Sequence, residues 1–230
     1  MLMMAASCES AIGPVDRLCE NIARESMPAG RNVVIFDLGG VLIDWDPRHL
    51  YRKLFRGDAA AMEDFLATVC TAEWNRGQDA GRSCADAVRL LKDRHPDRAE
   101  LIDAYYARFD EMMAGPIAGS VEILAELHGR GTPLYGLSNF SSETYPLALQ
   151  RFPFICLLRK VVISGDVRAI KPDPRIYQIL LGHCAIDPHR AVFVDDVVAN
   201  IATARQLGLH GIVFTGADAL RRELAELRLL

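Results

Sequence analysis

The sequence predicts an α/β protein: a doubly wound parallel sheet into which an all-helical segment is inserted. Three observations carry that reading. Val33-Val34-Ile35-Phe36 is a continuous apolar run that ends on Asp37 and, after Leu38, two glycines. This is the pattern of a strand buried on both faces. Ala191-Val192-Phe193-Val194 repeats it far downstream and ends on Asp195-Asp196. From residue 120 onward, short apolar runs alternate with helical patterns, which argues parallel strands joined by right-handed crossovers.

Residues 1–30 read as an N-terminal extension, with Val15, Leu18 and Ile22 on one face of a helix that follows Pro14. Strand one spans 33–37. Asp46 and Pro47 suit the N-cap and first position of a helix running to Arg56. From there to Met113 the pattern is helical throughout, with Asp58, Ser83 and Asp97 placed to cap successive helices. The stretch is too long for an ordinary crossover. The expected organisation is therefore a core at 31–45 and 116–230 and a helical cap at 46–115. Two crossings, near 44–47 and 113–119, tether the cap, and Gly115, Pro116 and Gly119 are candidate hinge residues. Within it, Trp74–Arg82 reads as a turn, with Arg76 and Arg82 either exposed or placed to bind an anionic group. The alternation then resumes. A helix over 120–130 precedes strand two at 133–137, which ends on Ser138-Asn139. A helix within 142–151 leads to strand three at 160–164, and Asp173-Pro174 opens a helix to His183. Strand four is 191–195. A helix over 198–207 stops at Gly208, strand five is 211–214, and Asp218 caps the last helix.

Composition narrows the partners. The net charge of -4 leaves no basic footprint for nucleic acid. The six cysteines are scattered without a C-x-x-C pair, which suits reduced thiols in the cytoplasm better than a disulfide framework or a zinc site. No apolar run is long enough to span a membrane, and the opening Met1–Ala6 lacks the basic flank of a signal peptide. The expected partner is a small molecule.

Four strand ends carry polar groups of matching purpose. These are Asp37 with the Gly39 carbonyl, Ser138-Asn139, Lys171-Pro172, and Asp195-Asp196 with Asn200 one helical turn on. The carboxyl edge of such a sheet is where ligands bind. Three carboxylates there repel one another unless a cation sits among them. A sparse set of oxygen ligands, Asp37, Gly39, Asp195 and Asp196, suits Mg²⁺ shared with a phosphate. Ser138, Asn139 and Lys171 are the hydroxyl, amide and ammonium that outer phosphate oxygens need. Asp37 can then attack phosphorus to form an aspartyl-phosphate. Each fragment alone is an ordinary turn, cap or solvated loop; their joint occurrence in this order is what points to a site.

The four fragments, Phe36-Asp37-Leu38-Gly39-Gly40-Val41, Leu137-Ser138-Asn139, Lys171-Pro172-Asp173-Pro174 and Val194-Asp195-Asp196, resemble in kind and order the motifs of the haloacid dehalogenase-like hydrolases. The resemblance spans nearly everything after residue 31. It implies sheet order 3-2-1-4-5, Asp37 as nucleophile, Ser138 and Lys171 on the phosphate, and Mg²⁺ on Asp37, the Gly39 carbonyl and Asp196 with Asp195 close by. It also implies hydrolysis of a small phosphate ester, a sugar phosphate by similarity to bacterial D-L-G-x-V phosphatases acting on glucose-1-phosphate. One departure stands out. Family phosphatases usually carry a second Asp two residues after the nucleophile, as acid and base; here that position is Gly39. Asp44, the next carboxylate along the chain, is the expected replacement, since Asp46 has a helix to cap. Two other readings compete: a metal-free 2-haloacid dehalogenase, against which Asp195-Asp196 argues by charge, and a phosphate- or metal-binding module without turnover.

Overall fold

A computed structural model describes residues 33–230; the helix expected near residues 15–22 lies outside the described residues. Strand β1 (Val33–Phe36) is buried along its whole length and forms the middle of a five-stranded sheet. The chain then turns back into a three-residue strand, β2 (Ile43–Trp45), before five helices: α1 (Arg48–Leu54), α2 (Ala59–Thr68), α3 (Ala72–Asp79), α4 (Cys84–Arg94) and α5 (Ala99–Ala107). A short strand, β3 (Met113–Pro116), returns to the core. There β4 (Leu134–Ser138), β5 (Lys160–Ile163), β6 (Ala191–Asp195) and β7 (His210–Val213) complete the main sheet. The remaining helices are α6 (Ala118–Gly129), α7 (Tyr145–Arg151), α8 (Ser164–Val167), α9 (Pro174–His183), α10 (Val198–Gln206) and α11 (Ala217–Glu226).

The sheet is parallel, in order β5-β4-β1-β6-β7. Counting only its own strands in chain order, this is the expected 3-2-1-4-5. Strand alternation sends Val34 and Phe36 to one apolar cluster and Val33 and Ile35 to another, one on each face of the sheet. The second cluster is closed by Ile176, Tyr177 and Leu180 of α9 and by Ile201 and Ala204 of α10. The first runs on without a break into the helical insert, through Leu50, Tyr51, Phe65 and Tyr105.

Several local predictions stand. The side chains of Asp58, Ser83 and Asp173 accept from the backbone N–H groups of Ala61, Asp86 and Arg175, so each caps its helix. Asp46 also accepts from the Arg48 N–H, at 2.8 Å.

Others are corrected. The insert is not flanked by helix alone: β2 and β3 pair antiparallel, with Ile43 opposite Pro116 and Asp44 opposite Gly115. The helix expected to reach Met113 ends at Ala107, and Gly115 and Pro116 lie in the ribbon instead of a free crossing. Most of Trp74–Arg82 is helix, because Thr71 caps α3 through the Trp74 N–H at 3.0 Å; the chain turns only at Ala80-Gly81, where Gly81 has a φ of +97°. Gly77 sits inside that helix, where a Cβ would collide with the Arg82 guanidinium. Asp97 caps nothing and lies beside Arg98, and Asp218 falls in the first turn of α11 after Gly216.

Candidate active site

The carboxyl ends of β1, β4 and β6 and the loop before α9 bring Asp37, Ser138, Lys171 and Asp195 together, all buried. The Asp37 N–H continues the β1–β6 ladder by donating to the Val194 carbonyl at 2.9 Å. Its carboxylate is held from two sides. Oδ1 accepts from the Leu38 N–H at 2.7 Å, and Oδ2 lies 2.9 Å from Lys171 Nζ. The neighbouring Ser138 hydroxyl favours the charged form of Asp37.

Lys171 is 1 % exposed and fully committed. Its ammonium contacts Asp37, Asp195 Oδ2 at 2.7 Å and the Leu137 carbonyl at 2.9 Å, with the Phe193 ring 5.5 Å away. Asn139 fixes the backbone that carries it: its Oδ1 accepts from the Lys171 N–H at 2.8 Å and its Nδ2 donates to the Lys171 carbonyl at 3.1 Å. Asn139 thus braces Lys171 with its amide. The Ser164 hydroxyl and the Gly165 N–H pin the adjoining Phe140 backbone at 2.9 and 3.0 Å.

The two acidic neighbours on β6 have different surroundings. Asp195 has no exposed surface, and its oxygens accept from Val197 N, from Asn200 Nδ2 at 2.9 and 3.0 Å, and from Lys171. A carboxylate offers about four lone-pair sites, so Asp195 is saturated by protein donors. Asp196 is exposed, and the approach to it is kept open by Gly40. At Gly40 the backbone φ is +74°, and a Cβ would stand 2.5 Å from Asp196 Oδ2.

One oxygen from each of Asp37, Asp195 and Asp196 lies within 4.8 Å of the others. Among the described residues, the single ammonium of Lys171 stands against these three carboxylates. Burial pushes the Asp37 carboxyl up to about 7, with Lys171 opposing and the Asp195 charge adding to the rise. Asp196 is raised as well, by burial and then by Asp195. Such an excess of oxygen charge fits a hard divalent cation.

Beside this cluster is a cleft lined by Gly39, Trp45, Asn75, Asp79, Phe109, Asn139 and Phe140. Trp45, not Asp44, faces it. Asp44 is half-exposed and pairs with His49 at 2.9 Å. Arg82, weighed as an anion ligand, is spent within its own segment: it donates to the Gln78 side-chain Oε1 and to the Trp74 backbone carbonyl, both at 2.8 Å. Arg76 lies 3.7 Å from Glu73 on the helix exterior. Asn75 and Asp79 were hidden from the sequence reading by the turn assigned there. Thr71 as a cap would have placed them one turn apart on one helix face.

The sequence profile of the haloacid dehalogenase-like hydrolases matches residues 32–208. The chain belongs to that family of hydrolases. Among curated relatives, drimenol cyclase drtB of Aspergillus calidoustus is 25% identical over 199 residues, covering 84% of this chain and 36% of its own length. Sesquiterpene phosphatase astK of Aspergillus oryzae is 23% identical over 193 residues, covering 84% of this chain and 94% of its own. The chain spans only 36% and 19% of the first two curated relatives it matches. Dehalogenases occur among the similar proteins as well. A crystal structure of the family enzyme bt-2542 from Bacteroides thetaiotaomicron, in complex with magnesium and inorganic phosphate, superposes with a TM-score of 0.64. It is 22% identical and covers 81% of this chain and 96% of that one. At that identity the likeness is one of fold. Among the described residues no helix is long and apolar enough to cross a membrane.

Proposed function

We propose that this hydrolase is a Mg²⁺-dependent phosphatase of a small phosphorylated metabolite, working through a phosphorylated Asp37. The observation that carries the reading is the charge imbalance at the β1–β6 edge: Asp37, Asp195 and Asp196 face one buried ammonium. A haloacid substrate, itself a carboxylate, is repelled by such a site. A phosphate neutralised by a bound cation is not.

In this reading Asp37, the Gly39 carbonyl and Asp196 hold the metal. Asp195, its oxygens already taken, stands behind and positions Lys171 and Asn200. Held by these residues, Mg²⁺ would supply positive charge to offset that of the phosphate. The protein's own residues do the rest. Leu38 N–H and Lys171 keep the Asp37 carboxylate oriented toward phosphorus. Ser138 and Lys171 bind outer phosphate oxygens and the charge that develops on them. Asn139 keeps Lys171 from retreating.

The helical segment serves as the lid. One wall of the cleft, Asn75, Asp79 and Phe109, belongs to it, and the other, Gly39, Asn139 and Phe140, to the sheet side. Contacts bridge the two: the Cys84 N–H donates to Glu143 at 2.9 Å, and the Arg151 guanidinium to the Asp110 carbonyl. Parting them admits substrate, and closing them excludes water. The aromatic walls, Trp45, Phe109 and Phe140, suit the apolar face of a sugar, in line with the sugar-phosphate class the motifs suggest.

The test is phosphate release across a panel of phosphorylated metabolites. Turnover is expected with Mg²⁺, to stop in excess chelator, and to fall to background in Asp37→Asn while phosphate-ester binding survives. Full activity in chelator, or halide release from 2-haloacids, would replace this reading with the dehalogenase one.

A further inference from the structure

With Gly39 where a second aspartate is usual, the proton must come from elsewhere. We infer that Asp79, on the helical insert, protonates the leaving oxygen and later takes a proton from the attacking water. The assignment rests on the phosphatase reading and adds the residue that reading lacks.

Three observations converge on it. First, among the described residues Asp79 is the one acidic side chain lining the cleft that Gly39 also lines. A Cβ on Gly39 would meet nothing within 4 Å but the Trp45 Cβ, at 3.9 Å. The volume that a side chain at this position would fill is therefore open to a leaving group.

Second, Asp79 is oriented by a chain of fixed partners. Gln78 Nε2 donates to the Tyr106 hydroxyl at 2.8 Å, and that hydroxyl donates to Asn75 Oδ1 at 2.9 Å. This sets the Asn75 amide so that its Nδ2 donates to Asp79 Oδ2, at 3.1 Å. Asp79 makes no other hydrogen bond among the described residues, so Oδ1 is left to carry and deliver a proton.

Third, Trp45 lines the same cleft, and its buried indole N–H has no hydrogen-bond partner among the described residues. Buried donors are rarely left so. It is a donor in want of an acceptor, such as the oxygen of a bound alcohol or phosphate ester.

The electrostatics agree. Burial pushes the Asp79 carboxyl up to about 7, against the pull of Arg76 on the same helix and with the Asp37 charge across the cleft adding to the rise. The neighbouring Tyr106 and Cys84 are held neutral by burial. A group poised near neutrality is suited to both halves of an acid–base cycle.

The steps balance. Asp37 forms a bond to phosphorus as the P–O bond to the leaving group breaks. That electron pair stays on the leaving oxygen, which takes the Asp79 proton and departs as an alcohol. Water then attacks phosphorus, the Asp37–phosphate bond breaks back to carboxylate, and Asp79 recovers its proton from that water. One ester and one water become one alcohol and one phosphate.

The experiment compares phenyl phosphate, whose leaving oxygen is basic, with p-nitrophenyl phosphate, which departs unprotonated. In Asp79→Asn, kcat/KM for phenyl phosphate is expected to fall by about 10²–10⁴-fold, and for p-nitrophenyl phosphate by less than about threefold. A retained kcat/KM for the activated ester, which reports transfer to Asp37 and not the later water step, also certifies that the variant folds. A second measurement needs no variant: wild-type kcat/KM for phenyl phosphate should fall as pH rises through about 7, while that for p-nitrophenyl phosphate lacks this limb. Equal loss on both esters, no loss on either, or one alkaline limb shared by both overturns the assignment to Asp79 and leaves the phosphatase reading intact. Absence of turnover of either ester by the wild-type chain removes both.

Discussion

Lys171→Met removes the only ammonium at the cluster among the described residues while keeping most of the side chain's length against Phe193. Two buried carboxylates, at 2.9 and 2.7 Å from Nζ, then lose their counter-charge. Breaking one buried ion pair by deleting a partner costs about 3–5 kcal/mol. Two partners are stranded here, so the upper half of that range, about 4–5 kcal/mol, is expected at pH 8 in chelator. For a domain of this size that is a fall of about 8–20 °C in melting midpoint. The loss should depend on pH, with a definite sign. Asp37 already binds its proton up to about 7 in the folded chain, far above the ordinary carboxylate range, and without Lys171 it holds it higher still. The folded state then binds more protons than the unfolded one across that window, so stability falls as pH rises through it. At pH 5 the carboxyl is neutral and the variant's loss should shrink to under about 2 kcal/mol. Urea melts of both proteins at the two pH values measure this directly. A loss below about 1 kcal/mol at pH 8, or equal losses at both pH values, would refute the claim that Lys171 compensates these charges.

Two further outcomes are expected. Gly40→Ala should weaken Mg²⁺ binding by about tenfold or more in calorimetry, because its Cβ displaces Asp196 and its φ of +74° is strained for alanine; unchanged affinity would exclude Asp196 as a ligand. Arg82→Ala should lower stability by about 1–2 kcal/mol, through the lost bonds to Gln78 and Trp74, yet leave KM unaltered; a raised KM would return Arg82 to the substrate site.

Much of the frame was legible in local sequence. An apolar run such as Val33–Phe36 has one comfortable place, the middle of a sheet covered on both faces. Caps such as Asp58, Ser83 and Asp173 act within three residues, so their bonds need no knowledge of the fold. The order of the four polar fragments likewise let Asp37, Ser138, Lys171 and Asp195 be expected at one sheet edge. What escaped was non-local. The β2–β3 ribbon joins short segments separated by the whole helical insert, and pairing at that range leaves little signal in either segment alone. The turn expected over Trp74–Arg82 is confined to its end, whereas at Gly77 packing under the Arg82 guanidinium makes glycine the residue that fits inside α3.

The division is clearest among the carboxylates. The sequence by itself put Asp37, Asp195 and Asp196 at strand ends, through local apolar patterns, and its family resemblance, through the strand order it implies, put them side by side. Only the tertiary structure decided their separate duties. Four hydrogen bonds from Lys171, Val197 and Asn200 saturate Asp195, while one glycine keeps Asp196 open. It also decided which acid faces the cleft. Distance along the chain favoured Asp44, but ribbon pairing and His49 hold that side chain on an exposed surface. Asp79, far later in the chain, is brought over Gly39 by packing of the helical insert on the sheet. Closeness in sequence measures how short a tether is; which way a side chain faces is set by the elements that pack around it.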